Sequence, residues 1–370
     1  MIAHCLAGIR VLDLTQFIAG PLVTQWLADL GAEVVKVEAP AGDPMRTMGA
    51  RDADGVTAFY KLANRNKTVV RLDLKDERGK RLFTELASAA DVLVEGFRPG
   101  VMARLGFGAE ALEKLNPRLI NCSLSGYGQT GPYAGQAGHD LTYLALSGVL
   151  AATGTADRPV IPYPPLSDHA GAMAAVIAVL AALLKRAGNG KGVRLDVSLS
   201  EGAMAWMGGV MTATARWGDQ GREAGVINGG AAFYRVYRCK DGRFLAAAPI
   251  EEKFWAAFCR ALDRPDLLGR QHEALPQTAL IADLEALFAG RDRDEWLALL
   301  EPADCCVAPV LEPGELPAHP QIAARGLVHP TEDGLVEVLL PMLMDGARAK
   351  TRRPFADDAA EAVAAAWRGR

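Results

Sequence analysis

Strand-like and helix-like patterns alternate through the first third of the chain, and that alternation leaves few folds open to it. Residues 9–14 (Ile-Arg-Val-Leu-Asp-Leu) read as a buried strand. Pro21 opens a helix that runs to about Leu30 and stops at Gly31. Residues 34–37 form a second strand, followed by a polar loop rich in glycine and proline (40–54). Residues 68–74 then read as a strand, 77–89 as a helix, and 91–95 and 119–124 as further strands. Near-continuous apolar strands separated by crossover helices predict a parallel sheet.

The texture changes after a Met- and Ala-rich helical stretch at 203–214. Residues 225–230 are glycine-rich and read as a linker or tight turn. Strand-like runs at 233–238 and 244–248 flank Asp241-Gly242, a strong hairpin signal. Helical patterns follow at 251–262, 280–289 and 293–300. Two domains are therefore expected: residues 1–225 with about 321–370 in a large Rossmann-like domain, and 226–320 in a smaller one. Residues beyond about 330 show few elements of their own, apart from an Ala-rich end.

A net charge of −4 on 370 residues supplies no basic footprint for nucleic acid. The six cysteines show no C-x-x-C spacing and no His-rich companion, so neither a metal site nor a disulfide framework is expected. The amino terminus lacks the basic start and long apolar run of a secretory signal. The longest apolar stretch, 170–184, is closed by Lys185-Arg186 and falls short of the ~18–20 residues that span a bilayer. A cytoplasmic protein with reduced thiols and no membrane partner is the expectation.

The chemistry concentrates at Ala137-Gly138-His139-Asp140 and at Asp168, each just ahead of an apolar run that reads as a helix (141–150 and 172–184). An imidazole and a carboxylate at two helix starts can face one pocket, with backbone N–H groups pointing into it. That arrangement suits moving a proton on or off carbon and holding the negative charge that appears. Helix capping explains Asp140 or Ser167 alone equally well, but not His139 and Asp168 together. His169, inside the next turn, reads as a packing or pocket-wall residue.

Three further motifs carry competing readings. Gly126-Tyr127-Gly128-Gln129-Thr130-Gly131 fits the dinucleotide pattern G-x-G-x-x-G. Pro132 interrupts the helix that pattern needs, and the acidic ribose partner is missing, so these glycines read as a loop threading past a ligand. Asn64 and Lys67 before one strand, and Arg98 after another, are either solvated loop residues or phosphate grips. Glu251-Glu252 either favours a helix amino end or supplies a carboxylate to orient the His139 ring.

Taken together, Gly8-Ile9-Arg10-Val11-Leu12-Asp13-Leu14, Ala19-Gly20-Pro21, residues 27–38, Asn66-Lys67 ahead of Leu72-Asp73-Leu74-Lys75, Gly126 to Pro132, and Gly190-Lys191-Gly192 resemble the family III CoA-transferases. That superfamily includes the α-methylacyl-CoA racemases. The resemblance implies an α/β fold with a large Rossmann-like domain and a smaller α/β domain, two chains interlocked as a homodimer, and an active site shared between subunits. In the transferase branch one aspartate, matching Asp168, is a nucleophile. The racemase branch pairs that aspartate with a histidine, matching His139, and a glutamate, matching Glu251. Ala39 stands where racemases carry an arginine that contacts the nucleotide.

The resemblance thus implies 1,1-proton transfer on a 2-methylacyl-CoA, with His139, Asp168 and Glu251 as the catalytic set. Asn64, Lys67, Arg98, Ala137, Gly138 and Asp140 are expected to contact the acyl-CoA. Coenzyme A enters as part of the substrate, and no separate cofactor is expected. CoA transfer between carboxylic acids through Asp168, and a non-catalytic CoA-binding scaffold, are the alternatives. The Met-rich stretch (Met204, Met207, Met211) is either an adaptable acyl wall or core packing.

Overall fold

A computed structural model describes residues 2–219 and 221–368. The chain forms two compact units. One comprises Met1–Ser147, Pro164–Trp206 and His319–Arg370, and the other Gly148–Tyr163 and Met207–Ala318.

The first unit is built on seven strands: β1 (Arg10–Leu14), β2 (Glu33–Glu38), β3 (Lys67–Arg71), β4 (Val92–Glu95), β5 (Ile120–Ser125) and β6 (Val193–Ser198), with the two-residue Ala356–Asp357 strand at one edge. That edge strand is followed by β3-β2-β1-β4-β5-β6 across the sheet, and every pairing is parallel. The order reverses between β1 and β4. Loops at the carboxyl ends of these strands therefore diverge and leave a crevice there.

Alternate side chains point to opposite faces of a strand, and both faces are buried. Val11, Val92 and Val94 pack beneath α1 (Ala19–Asp29). Leu12, Leu14 and Leu93 pack on the other side, against α3 (Glu77–Ala89) and the carboxyl-terminal helix Ala360–Arg368. This explains why the strands read as unbroken apolar runs. Short helices α2 (Ala58–Ala63), α4 (Val101–Arg104) and α5 (Ala109–Leu115) fill the connections.

The apolar run at 141–150 does not form one helix. It becomes α6 (Asp140–Leu146) and α7 (Val149–Ala152), divided where Gly148 takes φ 83°. The later run extends further than its apolar core suggested. Helix α8 (Leu166–Asn189) has 24 residues and a mean hydropathy of 1.8 in its most apolar window, enough by length and composition to cross a membrane. Ala170, Ala172, Ala175, Val179 and Ala182 form its buried face. Gly171 lets it approach α9 (Leu199–Met204), because a Cβ there would come within 2.4 Å of Leu199.

The second unit holds α7, then α10 (Gly208–Trp217) and the antiparallel strands β7 (Arg235–Arg238), β8 (Phe244–Ala247) and β9 (Val307–Pro309). The Asp241-Gly242 turn makes the expected hairpin, with Arg238 opposite Phe244. Helices α11 (Glu252–Ala261), α12 (Thr278–Phe288) and α13 (Arg293–Leu300) pack on it through Trp255, Phe258, Phe288 and Trp296. The unit begins earlier in the chain than residue 226 because Arg222 donates hydrogen bonds to the carbonyls of Ala151, Thr155 and Ala156. Those bonds fasten 148–163 to it.

The chain beyond 330 contributes more than its composition suggested. Arg352, buried, ion-pairs with Asp29 at 2.6 Å, and Arg65 donates to the Arg352 carbonyl at 2.9 Å. These bonds return the tail to the first unit.

Candidate active site

A cavity of about 350 Å³ occupies the crevice between β1 and β4. Its walls come from the segment after β1 (Thr15–Gly20), the loop after β4 (Gly96–Pro99), the loop after β5 (Leu124–Tyr127), residues 136–139, Tyr143, Asp168 and Leu199. His139 and Asp168, distant in sequence, therefore share one chamber. Arg98, Ala137 and Gly138 line it with them.

His139 occupies the N-cap position of α6, with extended backbone (φ −137°). Its N–H donates to the Thr142 hydroxyl at 3.1 Å, and that hydroxyl donates to the His139 carbonyl at 2.8 Å. The Tyr127 hydroxyl in turn donates to Thr142 Oγ1 at 3.2 Å. The ring of Phe17 meets the imidazole edge-on, with centroids 5.9 Å apart. Phe17 takes φ 65°, a left-handed conformation that costs a bulky side chain on the order of 1–3 kcal/mol.

Asp168 lies in the first turn of α8. Helix α8 opens at Pro165, which carries no capping side chain, and the cap comes instead from Asp140. Its Oδ1 accepts the N–H groups of Ser167 at 2.7 Å and Asp168 at 3.1 Å. Burial pushes the Asp168 carboxyl up to about 7, and the neighbouring Asp140 charge adds to the rise. A carboxyl tuned to that range exchanges protons readily at neutral pH.

Tyr143 was not anticipated. Its hydroxyl donates to the Gly138 carbonyl at 2.6 Å, and its ring lies between Gly126 and Gly138, where a Cβ on either would come within 2.4 Å of it. That crowding accounts for Gly126 and Gly138, while Gly128 and Gly131 take φ 84° and 87°, so backbone demands explain the glycine pattern without a dinucleotide. Burial raises the Tyr143 phenol to about 12, helped by the Asp168 charge. The available signal was its place one helical turn after His139.

Three residues expected to contact the acyl-CoA have side chains engaged elsewhere. Lys67 is fully buried, and its Nζ donates to Asp13 at 3.1 Å, to the Pro21 carbonyl at 2.9 Å and to Asn64 Oδ1 at 3.0 Å. Asn64, equally buried, also donates to the Tyr60 carbonyl at 2.9 Å. Both hold the sheet against α1 and do not reach the cavity. The Asp140 carboxylate is committed to the α8 cap and is not among the lining groups. Arg98, by contrast, makes no ion pair among the described residues and remains available to an anion.

His169 turns back on its own helix, with Nδ1 2.6 Å from the Pro165 carbonyl. Glu251 belongs to the second unit. It occupies the N-cap position of α11 without making a side-chain cap bond and is exposed. Its charge helps raise the nearby Cys306 thiol, after burial. Among the described residues, no group of three or more His, Cys, Asp or Glu side chains is arranged to hold a metal ion.

Fold and cavity together define a doubly wound α/β protein with an imidazole and a carboxyl of raised pKa at the switch point of its sheet. The chain matches CoA-transferase family III over residues 6–355 and belongs to that family of enzymes. It is 35% identical to succinyl-CoA:glutarate CoA-transferase of Mus musculus, over 88% of this chain and 77% of that one. It is also 35% identical to alpha-methylacyl-CoA racemase of Homo sapiens, over 87% of this chain and 81% of the relative. A CAIB/BAIF family protein from Brucella suis superposes with a TM-score of 0.86 at 30% identity, covering 98% of this chain and 99% of that one. Overall identity thus does not separate the two activities.

Proposed function

We propose that this enzyme interconverts (R)- and (S)-2-methylacyl-CoA thioesters by 1,1-proton transfer. One observation carries the reading: His139 and Asp168 line the same cavity, and the carboxyl is held near 7. Inversion needs one acid–base group on each face of the α carbon. In one direction the Asp168 carboxylate takes the α proton, the electron pair moves onto the thioester oxygen, and the His139 imidazolium delivers a proton to the opposite face. In the other direction the roles exchange. The His139 N–H is engaged by Thr142, so in this reading the Gly138 N–H receives the enolate oxygen. Arg98 meets an anionic part of coenzyme A.

The same proposal includes a homodimer in which Glu251 of one copy orients His139 of the other. Its support is the unengaged Glu251 carboxylate and the outward-facing Met173, Ile177 and Leu184 of α8, apolar surface that a second copy would bury.

The test is deuterium wash-in from solvent at the α carbon of a 2-methylacyl-CoA, followed by NMR. Wash-in with inversion is the expected result. No wash-in, together with capture of an Asp168 thioester by hydroxylamine or borohydride, would establish CoA transfer instead. Neither activity over a broad acyl-CoA panel would leave a binding protein.

A further inference from the structure

We propose that Phe17 is a positioning residue for His139, held against the imidazole by a buried charge network beneath α1. The inference rests on the proton-transfer reading above and adds to it the group that aims one of the two bases.

The segment Thr15–Phe17 is pinned from both ends. Asp13 Oδ1 accepts the Thr15 N–H at 2.9 Å and the Thr15 hydroxyl at 2.6 Å. Lys36 Nζ donates to the Thr15 carbonyl at 3.0 Å and to Asp43 Oδ2 at 2.8 Å. Asp43 Oδ1 accepts the N–H of Met45 at 2.9 Å and of Phe17 at 3.4 Å. Asp13 and Lys36 have no exposed surface, and Asp43 almost none. Charges so enclosed move little, so the backbone they grip is fixed.

What they fix is unfavourable in isolation. Phenylalanine rarely takes positive φ, whereas glycine does so freely. Here the left-handed turn carries the ring to the cavity wall, where it lies at 82° to the imidazole. Thr142 fixes the His139 backbone, and Phe17 bounds the ring on one side. Delivering a proton to carbon requires the imidazole nitrogen to be held within narrow limits. A strained residue whose side chain meets the base has a role that packing alone does not explain.

The experiment compares wild type with Phe17→Gly, Phe17→Leu and Phe17→Tyr in the full-length protein. Phe17→Gly relieves the backbone and should keep its melting temperature, while kcat for α-carbon deuterium exchange falls by about 10- to 10²-fold, the scale of a misplaced catalytic group, with KM little changed. Phe17→Leu, which retains bulk and removes the ring, should lose kcat in the same sense, and Phe17→Tyr should recover most of the loss. A folded Gly or Leu variant with wild-type kcat overturns the inference. If wild type exchanges no deuterium, the proton-transfer reading fails on its own account. The placement is then decided by the His139 ring proton resonances, assigned with His139→Ala. They should move in Phe17→Leu as the ring current is lost, and unmoved resonances overturn it.

Discussion

Two clusters of charged side chains lie on one sheet and have opposite fates. Beneath α1, Asp13, Lys36, Asp43 and Lys67 are enclosed and every charge has a partner. At the switch point, His139, Asp168 and Arg98 border an open cavity. The first cluster resolves burial by pairing. Desolvation works against ionising Asp13, yet Lys67 and Lys36 overcome it and its pKa is lowered. Burial pushes Lys67 down to about 8, with Asp13 resisting. The second cluster leaves burial unresolved: desolvation raises Asp168, and the Asp140 charge adds to the rise. A satisfied buried charge holds structure; an unsatisfied one beside a cavity is ready to react.

The sharpest way to break this contrast is to neutralise one carboxylate in each cluster. Asp168→Asn should cost at least ~10²-fold in turnover, the scale of losing a general base, measured by exchange of a 2-methylacyl-CoA. Its stability should move the other way. The raised folded-state pKa means that stability is lost as pH rises through about 7. The melting temperature of Asp168→Asn should therefore gain on wild type between pH 6 and pH 8. Asp13→Asn should do the reverse of a gain, destabilising the fold by about 3–5 kcal/mol in urea titrations because Lys67 is left buried without its carboxylate partner.

A milder perturbation sharpens the account of Asp168. In the direction where its carboxylate accepts the proton, kcat/KM should rise with pH through about 7. The opposite direction should show the same profile, because the two working protonation forms carry equal numbers of protons and the equilibrium between the epimers does not depend on pH. Asp140→Asn removes the adjacent negative charge, so both profiles should shift to lower pH. The smallest effect belongs to the cap itself: Asp140→Ala should cost about 0.5–2 kcal/mol in thermal unfolding.

Sequence made the central strands legible because both faces of each are buried, leaving continuous apolar runs such as residues 9–14 and 34–37. It made His139 and Asp168 legible because residue type and helix starts point to chemistry. It did not reveal β6, an edge strand whose alternating exposure includes Arg194 and Asp196. The strand at Ala356–Asp357 was equally hidden, being two residues defined only by pairing with Thr68 and Val69. The burial of Lys67 and Asn64 was hidden because a sequence displays a polar group and not its surroundings. Phe17 gave no signal, since its importance lies in a backbone angle imposed by Asp13, Lys36 and Asp43.

The Asp140 cap has a consequence for how this chain can vary. The polypeptide leaves the first unit after Ser147 and re-enters it at Pro164, so the two catalytic candidates sit on either side of an excursion. Asp140, one residue from His139, grips the backbone of Asp168 and closes that excursion at its neck. Insertions or deletions within 148–163 can therefore remodel the second unit while the spacing of imidazole and carboxyl stays constant. The second unit and the pairing of imidazole and carboxyl become separately mutable, a modular division set by one carboxylate oxygen.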